Sequence, residues 1–337
     1  MSEASGVAHP NVALSKYWGK RPGGGNVPAV PSLSVTLAAL ETRTHVRFDA
    51  SLENDRLVMN GAIAGAEATA RVSALLDRVR LAARDERRAE VRSMNDFPTA
   101  SGLASSASGF AALAWTAVRA AGLAWSASLV SDLARRSSAS AARSVFGGFV
   151  ELDAGASGAH ESDVLSAHAV APAGHLPLVV LVCVTTEAQK AISSSDGMRL
   201  TMERSPYARA WLDEAPRLHA RLRDALLARD FAAVGELAEA SSFAMHASAI
   251  AARLVYWNAA TMNALVAVRA LRAEGVQAFA SIDAGPHVKV LVLEPDVSRA
   301  RAAMAAAPGV RRVIDSRVGG GARLVEEREP EGRGRVA

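Results

Sequence analysis

At 337 residues, half of them hydrophobic and 21% charged, the chain suits one large or two medium domains with a sizeable buried core. No charge-free apolar run of 18 residues occurs, which argues against a membrane-spanning helix. No basic segment leads into an apolar stretch at the N-terminus, so no signal peptide is expected. The pI is near 9.6, but the formal charge is only +4, basic and acidic residues are interleaved and aromatics are 5%, a pattern that argues against a basic nucleic-acid binder and leaves it a minor alternative.

The chain begins with an apolar strand at 11–14, followed by the polar exit Lys16 to Lys20. Two lysines four apart, with Tyr17 and Trp18 between them, offer cations and a phenol to an anionic group. Of 38 basic residues only four are lysine: Lys16, Lys20, Lys190 and Lys289. Where arginine is the default cation, a retained lysine marks a place that needs a compact point charge. After the turn-rich stretch 22–31, residues 32–37 read as a strand. Residues 44–48 and 56–59 alternate like paired strands, the second closing on Asn60-Gly61. Val72, Leu75, Leu76 and Val79 recur at helical spacing and predict an amphipathic packing helix over about 66–84.

Residues 90–94 read as a short strand. It runs into NDFPTASGLASSASG (95–109) and then an apolar helix over 110–118. Small residues let a backbone approach a ligand closely, and the first turn of a helix presents unpaired N–H groups. A phosphate satisfies those donors and suits the positive end of the helix dipole. Ser105 and Ser106 add hydroxyls for a nucleotide phosphate or its magnesium. No Gly-Lys-Ser/Thr follows the glycines, so this is not a Walker loop.

A second helical pattern over 126–136 ends in ARRSSASAARSVFGGFVEL (134–152). Its serines can converge on an anion, and Arg143 can grip a carboxylate with both arms of its guanidinium. Residues 178–185 form a buried-strand candidate holding the single cysteine, Cys183, which reads as core; one thiol excludes an intrachain disulfide and fits a reducing cytoplasm. Residues 190–205 begin as loop and end as helix. Helical stripes follow at Leu218, Leu222, Ala225 and Leu226, at Val234, Leu237, Ala238 and Ser241, and over 259–273 up to Gly275. Two strand runs then flank Asp283-Ala284-Gly285-Pro286, where Asp283 suits a turn and can also orient a hydroxyl or accept its proton. Lys289 on the second run reads as structural. Asp296 is expected to cap a short helix, and a strand is expected at 311–315. Residues 326–337 are charged with Gly and Pro and read as disordered. The eight histidines show no zinc spacing.

These stretches, in this order, resemble the mevalonate diphosphate decarboxylases of the GHMP kinase superfamily. The 95–109 stretch resembles the superfamily's phosphate loop. KYWGKR after Asn-Val-Ala-Leu resembles the family's N-terminal signature, with Ser15 in place of an aliphatic residue. The 137–144 stretch resembles Gly-Ser-Gly-Ser-Ala-x-Arg-Ser, with Ser137 and Ala139 in place of the glycines. Residues 190–199 resemble Lys-x-x-Ser-Ser followed by Gly-Met-Arg, with Ser195 where many bacterial relatives carry arginine. Asp-Ala-Gly-Pro resembles the loop holding the decarboxylase's essential aspartate.

The resemblance implies an α+β fold of two domains with the active cleft between them. The first, 1–187, would be ribosomal protein S5 domain 2-like, and the second, 188–325, ferredoxin-like. It implies catalytic roles for Asp283, Arg143, Lys16 and Asn11. Substrate contacts would come from Tyr17, Lys20, Ser138, Ser140, Arg143 and Ser194. The nucleotide would lie on Ser93, Asn95, Pro98, Ser101, Gly102, Leu103, Ala104, Ser105 and Ser106, with magnesium at Ser105 or Ser106, and His246 would be structural. The implied reaction is ATP-dependent decarboxylation of mevalonate 5-diphosphate to isopentenyl diphosphate by a cytoplasmic homodimer. Mevalonate 5-phosphate as substrate, 3-hydroxyl phosphorylation without decarboxylation, and a noncatalytic ligand-sensing role stay open at this point.

Overall fold

The computed structural model describes residues 2–97, 105–156, 163–188 and 191–326. The chain runs β1 (Glu3–Ala8), β2 (Asn11–Ser15), β3 (Ser32–Thr36), β4 (Thr42–Asp49), β5 (Arg56–Met59) and β6 (Ala62–Ile63). Helix α1 (Ala66–Ala83) leads to β7 (Arg88–Asn95), then α2 (Ser105–Ala120), α3 (Ala127–Ser137) and α4 (Ala139–Ser144). Strands β8 (Phe149–Leu152), β9 (His168–Ala171) and β10 (Leu178–Val184) follow. Helices α5 (Ser194–Arg204), α6 (Ala208–Leu227), α7 (Phe231–Ala251) and α8 (Ala259–Ala273) precede β11 (Phe279–Ile282) and β12 (Val288–Leu293). Helix α9 (Val297–Ala306), β13 (Arg312–Arg317) and β14 (Arg323–Val325) complete the described elements.

The strands form three sheets, ordered β14-β1-β4-β7-β5-β6, β2-β3-β8-β9 and β11-β12-β10-β13. In the first, α2 lies against β1 and β4. Its small residues let it sit close, and a Cβ on Gly6 of β1 would come within 2.5 Å of the Thr116 hydroxyl. Val46, Phe48, Leu57 and Val91 meet Val72, Leu75, Leu76 and Val79 of α1 and the apolar face of α2 in one core. Strands β4 and β5, expected to pair, are not neighbours in the sheet. Helix α1 carries the chain over, and β7 enters between them, antiparallel to β4 and parallel to β5, as a parallel pair requires a crossover. Asn60 and Gly61, both at positive φ, turn β5 into β6 instead.

Strand β10 is buried along its whole length, and its period of two divides it between two cores. Leu178, Val180 and Val182 join the α6–α7 side, while Val179, Leu181 and Cys183 join α8 and α9. It hydrogen-bonds to β12 and β13, in the second half of the chain. The α6–α7 pair faces Phe279 and Leu291 of that sheet and Val12, Leu14, Leu33, Val35 and Phe149 of the β2-β3-β8-β9 sheet. It is a shared layer between them. Helix α7 packs so closely on β11 that a Cβ on Gly235 would strike the Phe279 ring at 2.0 Å.

Asp296 stands at the start of α9, but its side chain makes no capping hydrogen bond. The stretch expected as a small-residue turn at 137–140 is the junction of α3 and α4, with Ser138 as the first residue outside each helix. Among the described residues, no helix is long and apolar enough to cross a membrane. Apart from Glu326, the expected tail lies outside the described residues.

Candidate active site

Helix α7 staples two strand ends together. Ser241 accepts from the Lys16 backbone N–H at 3.0 Å, just past β2. Ser242 accepts from the Ile282 N–H at 2.9 Å and donates to the Ile282 carbonyl at 3.1 Å, at the end of β11. The residues that follow these strand ends are therefore brought face to face.

They are Lys16 and Asp283. The Lys16 ammonium is buried and spends its three protons on the Ala13 carbonyl at 2.8 Å, Ser281 Oγ at 2.8 Å and Asp283 Oδ1 at 2.7 Å. Lys289 Nζ lies 3.1 Å from Asp283 Oδ2, with its side chain 4% exposed. Burial alone would raise the Asp283 carboxyl. The Lys16 and Lys289 ammonium groups reverse that and hold it well below the usual carboxylate range. Burial pushes Lys16 down to about 8, against the pull of Asp283, so both partners of the 2.7 Å pair are charged at neutral pH.

The Asn11 amide donates to the Ser140 carbonyl at 3.0 Å and Ser144 Oγ at 2.7 Å, and its carbonyl accepts from Arg143 Nη2 at 3.4 Å. Arg143 Nη1 donates to Ser32 Oγ at 2.6 Å. The guanidinium is 2% exposed, its Nε has no hydrogen-bond partner, and no carboxylate pairs with it among the described residues. Burial lowers Arg143 to about 10, opposed by Asp283, which leaves a guanidinium charged at neutral pH. Tyr17 Oη is buried and also lacks a partner. Burial pushes its phenol far up, against Arg143 and Arg135, so it stays a protonated donor.

Asn11, Lys16, Tyr17, Arg143 and Asp283 line one cavity of about 770 Å³, along with Lys20, Ser138, Ser140 and Ser194, while Lys289 holds Asp283 from outside the lining. Ser138 and Ser140 bond to each other at 3.1 Å, and Lys20 donates to Ser195 at 2.8 Å. A second cavity of about 210 Å³ is lined by Leu57, Met59, Val72, Val91, Phe110 and Leu113, with Ser93 and Asn95 at its polar side. Threonines of β4 tie these two down: Thr44 bonds to Ser93 at 3.1 Å, and Thr42 donates to Asn95 at 2.6 Å. Three residues line both cavities: Ser105 and Ser106 at the start of α2, and Arg71 on α1. An apolar slot for a flat base therefore opens, past a helix N-terminus and an arginine, into a chamber holding the Asp283 carboxylate and the buried cations Lys16 and Arg143. That sequence of environments fits a nucleoside triphosphate, and two adjacent hydroxyls at the junction suit a hard cation such as magnesium.

The sequence-predicted residues are thus largely brought together. Pro98, Ser101, Gly102, Leu103 and Ala104 lie outside the described residues, as does Lys190. His246 is fully buried on α7, with Nε2 3.3 Å from the Ile282 carbonyl. Burial and Lys16 push it down to about 4, so it is neutral and supports the turn before Asp283. Two participants were missed. Lys289 was read as structural, although its being one of four lysines was a signal. Arg71 was absorbed into a packing helix, and its guanidinium stands over the Phe110 ring at 4.8 Å; no local pattern marks it.

Ser15 makes contacts separate from those of Lys16, at the end of β2 where the register with β3 shifts between Ala13 and Ser15. Its Oγ accepts from the Leu33 N–H at 2.7 Å and lies 2.9 Å from His219 Nδ1. His219 Nε2 meets Glu151 Oε1 at 2.9 Å, and Arg223 Nε donates to Glu151 Oε2 at 3.0 Å. The serine that departs from the family pattern thus joins a buried polar chain between β2, α6 and β8.

Comparison with known proteins agrees with this geometry. The profile of the diphosphomevalonate decarboxylase-like N-terminal domain matches residues 8–164, and that of the mevalonate 5-diphosphate decarboxylase C-terminal domain matches residues 180–325. The phosphomevalonate decarboxylase of Haloferax volcanii is 34% identical over 338 residues, covering 97% of this chain and 99% of that one. The diphosphomevalonate decarboxylase of Homo sapiens is 34% identical over 320 residues, covering 88% and 78%. A solved structure described as MDDEF in complex with MVAPP, AMPPCP and magnesium superposes with a TM-score of 0.88 at 37% identity, covering 96% of this chain and 100% of that one.

Proposed function

The chain belongs to the diphosphomevalonate decarboxylase family, and from that premise we propose that it decarboxylates mevalonate 5-diphosphate with ATP, giving isopentenyl diphosphate, ADP, phosphate and carbon dioxide. The observation that carries this reading is Arg143: a buried guanidinium with an unpartnered Nε and no carboxylate partner among the described residues, in the same cavity as the Lys16–Asp283 pair. A buried cation left without an anion calls for one from the substrate, and the acid to be lost as carbon dioxide supplies it.

The adenine occupies the apolar slot beside Ser93 and Asn95, and the phosphates run past Ser105, Ser106 and Arg71. Bound magnesium, held at Ser105 or Ser106, neutralises phosphate charge. Asp283, fixed by two lysines, accepts a hydrogen bond from the substrate's 3-hydroxyl, aims that oxygen at the γ-phosphorus and takes its proton as the new oxygen–phosphorus bond forms and ADP leaves. Lys16 and Arg143 supply positive charge where charge gathers. Once phosphorylated, the oxygen departs as phosphate and draws the electrons of the neighbouring carbon–carbon bond into a double bond, releasing carbon dioxide. Most of this is positioning and charge stabilisation. The homodimer, the cytoplasmic location and the division into two domains belong to this same reading; the pairing of β10 with β12 and β13 favours a division before β10 over one at 187/188.

A second reading, turnover of mevalonate 5-phosphate, is favoured by one wall of the large cavity. There Lys20 is engaged by Ser195, Ser137 and Ala139 carry side chains in place of glycine hydrogens, and Asp196 adds negative charge. That wall suits a less charged tail. The full-length match to the Haloferax volcanii phosphomevalonate decarboxylase points the same way. Carbon dioxide release from each compound with ATP and magnesium decides. Release from the diphosphate supports the first reading, and release mainly from the monophosphate supports the second. ADP without carbon dioxide makes the protein a kinase, and no ADP from either overturns both. Ser195→Arg adds a cation to this wall and is expected to move the ratio of kcat/KM values about tenfold toward the diphosphate.

A further inference from the structure

The carboxylate at the centre of the cavity is held from two sides, and only one of its holders comes from a segment that looks catalytic. Lys16 follows β2 and takes Oδ1 at 2.7 Å. Lys289 comes from the middle of β12, where it faces Ser281 of β11 in register and takes Oδ2 at 3.1 Å. Lys289 has no other polar partner among the described residues. A lysine buried in a β-strand, cross-strand to Val182 and Ser281, carries a desolvation cost that a partner charge has to offset. The carboxylate it holds is itself 28% exposed, open on the cavity side.

We propose that Lys289 is a positioning residue for the reaction: it pins the second oxygen of Asp283 so that the carboxylate is presented to the substrate hydroxyl in one orientation and in its charged form. This rests on the reading of Asp283 given above and adds to it a residue that does not line the cavity. Lys16 cannot do this alone. Its three protons are divided among Asp283, Ser281 and the Ala13 carbonyl, and it holds only one carboxylate oxygen, about which the other could swing.

The charged and titratable groups around Asp283 come from five directions. Lys16 follows β2, Lys289 stands on β12, and Arg143 on α4 faces it across the cavity. His246 on α7 is neutral, because burial pushes it down to about 4. Cys183 on β10, on the far side of Lys289, stays a thiol because burial pushes it up to about 12. Burial of Asp283 favours the neutral acid, and the two ammonium groups overcome this. With Lys289 gone, the burial contribution is opposed by Lys16 beside the carboxylate and, across the cavity, by Arg143.

The test is Lys289→Met, which keeps length and removes charge, with Lys289→Gln as a smaller polar control and Lys289→Arg as the charge-keeping variant. Carbon-13 labelling of aspartate carboxyls, with Asp283→Asn to assign the signal, reads the Asp283 titration in the substrate-free protein. The midpoint is expected to rise by at least about one pH unit in Lys289→Met and Lys289→Gln and to stay low in Lys289→Arg. In turnover, the two neutral variants are expected to lose kcat by about 10-fold or more with KM for ATP unchanged, and to gain an acid limb absent from the parent. An unmoved carboxyl titration, or a kcat loss with no new acid limb, would overturn the proposal and leave Lys289 a packing residue. The carboxyl titration requires no turnover, so a parent protein inactive on both mevalonate phosphates would refute the functional reading while Lys289's hold on Asp283 was still measured.

Discussion

Ser15 and Lys16 are adjacent, yet they enter two buried polar networks of opposite character. On the Ser15 side, each oxygen of Glu151 is paired, and His219 is engaged at both ring nitrogens. That network joins β2, α6 and β8, is fully paired, and runs out to Arg223 and His168 at the surface. On the Lys16 side, one carboxylate faces three buried cations, and Arg143 Nε and Tyr17 Oη have no partner. That network is positive and incomplete, and in the proposed function the substrate supplies its missing partners. A saturated buried network holds a fold together, whereas an unsaturated one beside a cavity is organised for a ligand.

The sharpest way to break this contrast is to neutralise the two central acids. Asp283→Asn is expected to stay folded and bind ATP, by calorimetry, while turnover falls by about 10³-fold. Near-normal product formation would refute its assignment to the chemistry. Glu151→Gln is expected to do the reverse: kcat within about twofold of the parent, with stability lower by about 3 kcal/mol in chemical denaturation.

The second effect has a pH signature. Burial would raise the Glu151 carboxyl, but the hydrogen bond and charge of His219 more than reverse this and bring it to about 2 from an ordinary 4.5. A lowered folded-state value means the stabilisation is fully present above the unfolded value and is lost as pH falls through the folded one. The gap in melting temperature between the parent and Glu151→Gln is therefore expected to close between about pH 4.5 and 2. The smallest effect belongs to Ser15→Val, which restores the family's aliphatic character. It loses the acceptor for Leu33 and the contact to His219, at a cost of about 1–2 kcal/mol in denaturation with kcat unchanged. A kinetic defect there would mean that the paired network reaches the reacting groups.

Legibility in the sequence followed the same divide. Lys16, Arg143 and Asp283 sit in short runs whose chemistry reads locally, and the cavity brings them together. The helices were legible because their stripes are long, as in α1 and α8. What stayed hidden depends on register between distant strands. That Lys289 reaches Asp283 follows from Ser281 facing Lys289 across a hairpin, and nothing within either strand states that register. The Ser15–His219–Glu151 chain joins residues from three separate stretches in the same way. Strand β7 displaced the expected β4–β5 pairing because alternation shows that a strand has two faces without naming its neighbour. Strands β1 and β14 were missed for a related reason: EASGVA is rich in small residues and RLV is too short to carry a period.

Those two strands leave a mark on how the molecule must be made. Gly6 faces Leu324 across the β1–β14 pair, and Val7 faces Arg323. One side of β1 is thus covered by residues synthesised long after it. While the ribosome works through the intervening chain, β1 presents an open row of backbone donors and acceptors, the surface through which nascent chains pair wrongly with one another. Such a distant closure also slows the final search. Ending translation a few codons before residue 323 would leave every catalytic group encoded and still yield a protein with an adhesive edge. Yield in the cell should therefore depend on a three-residue strand that never approaches the substrate.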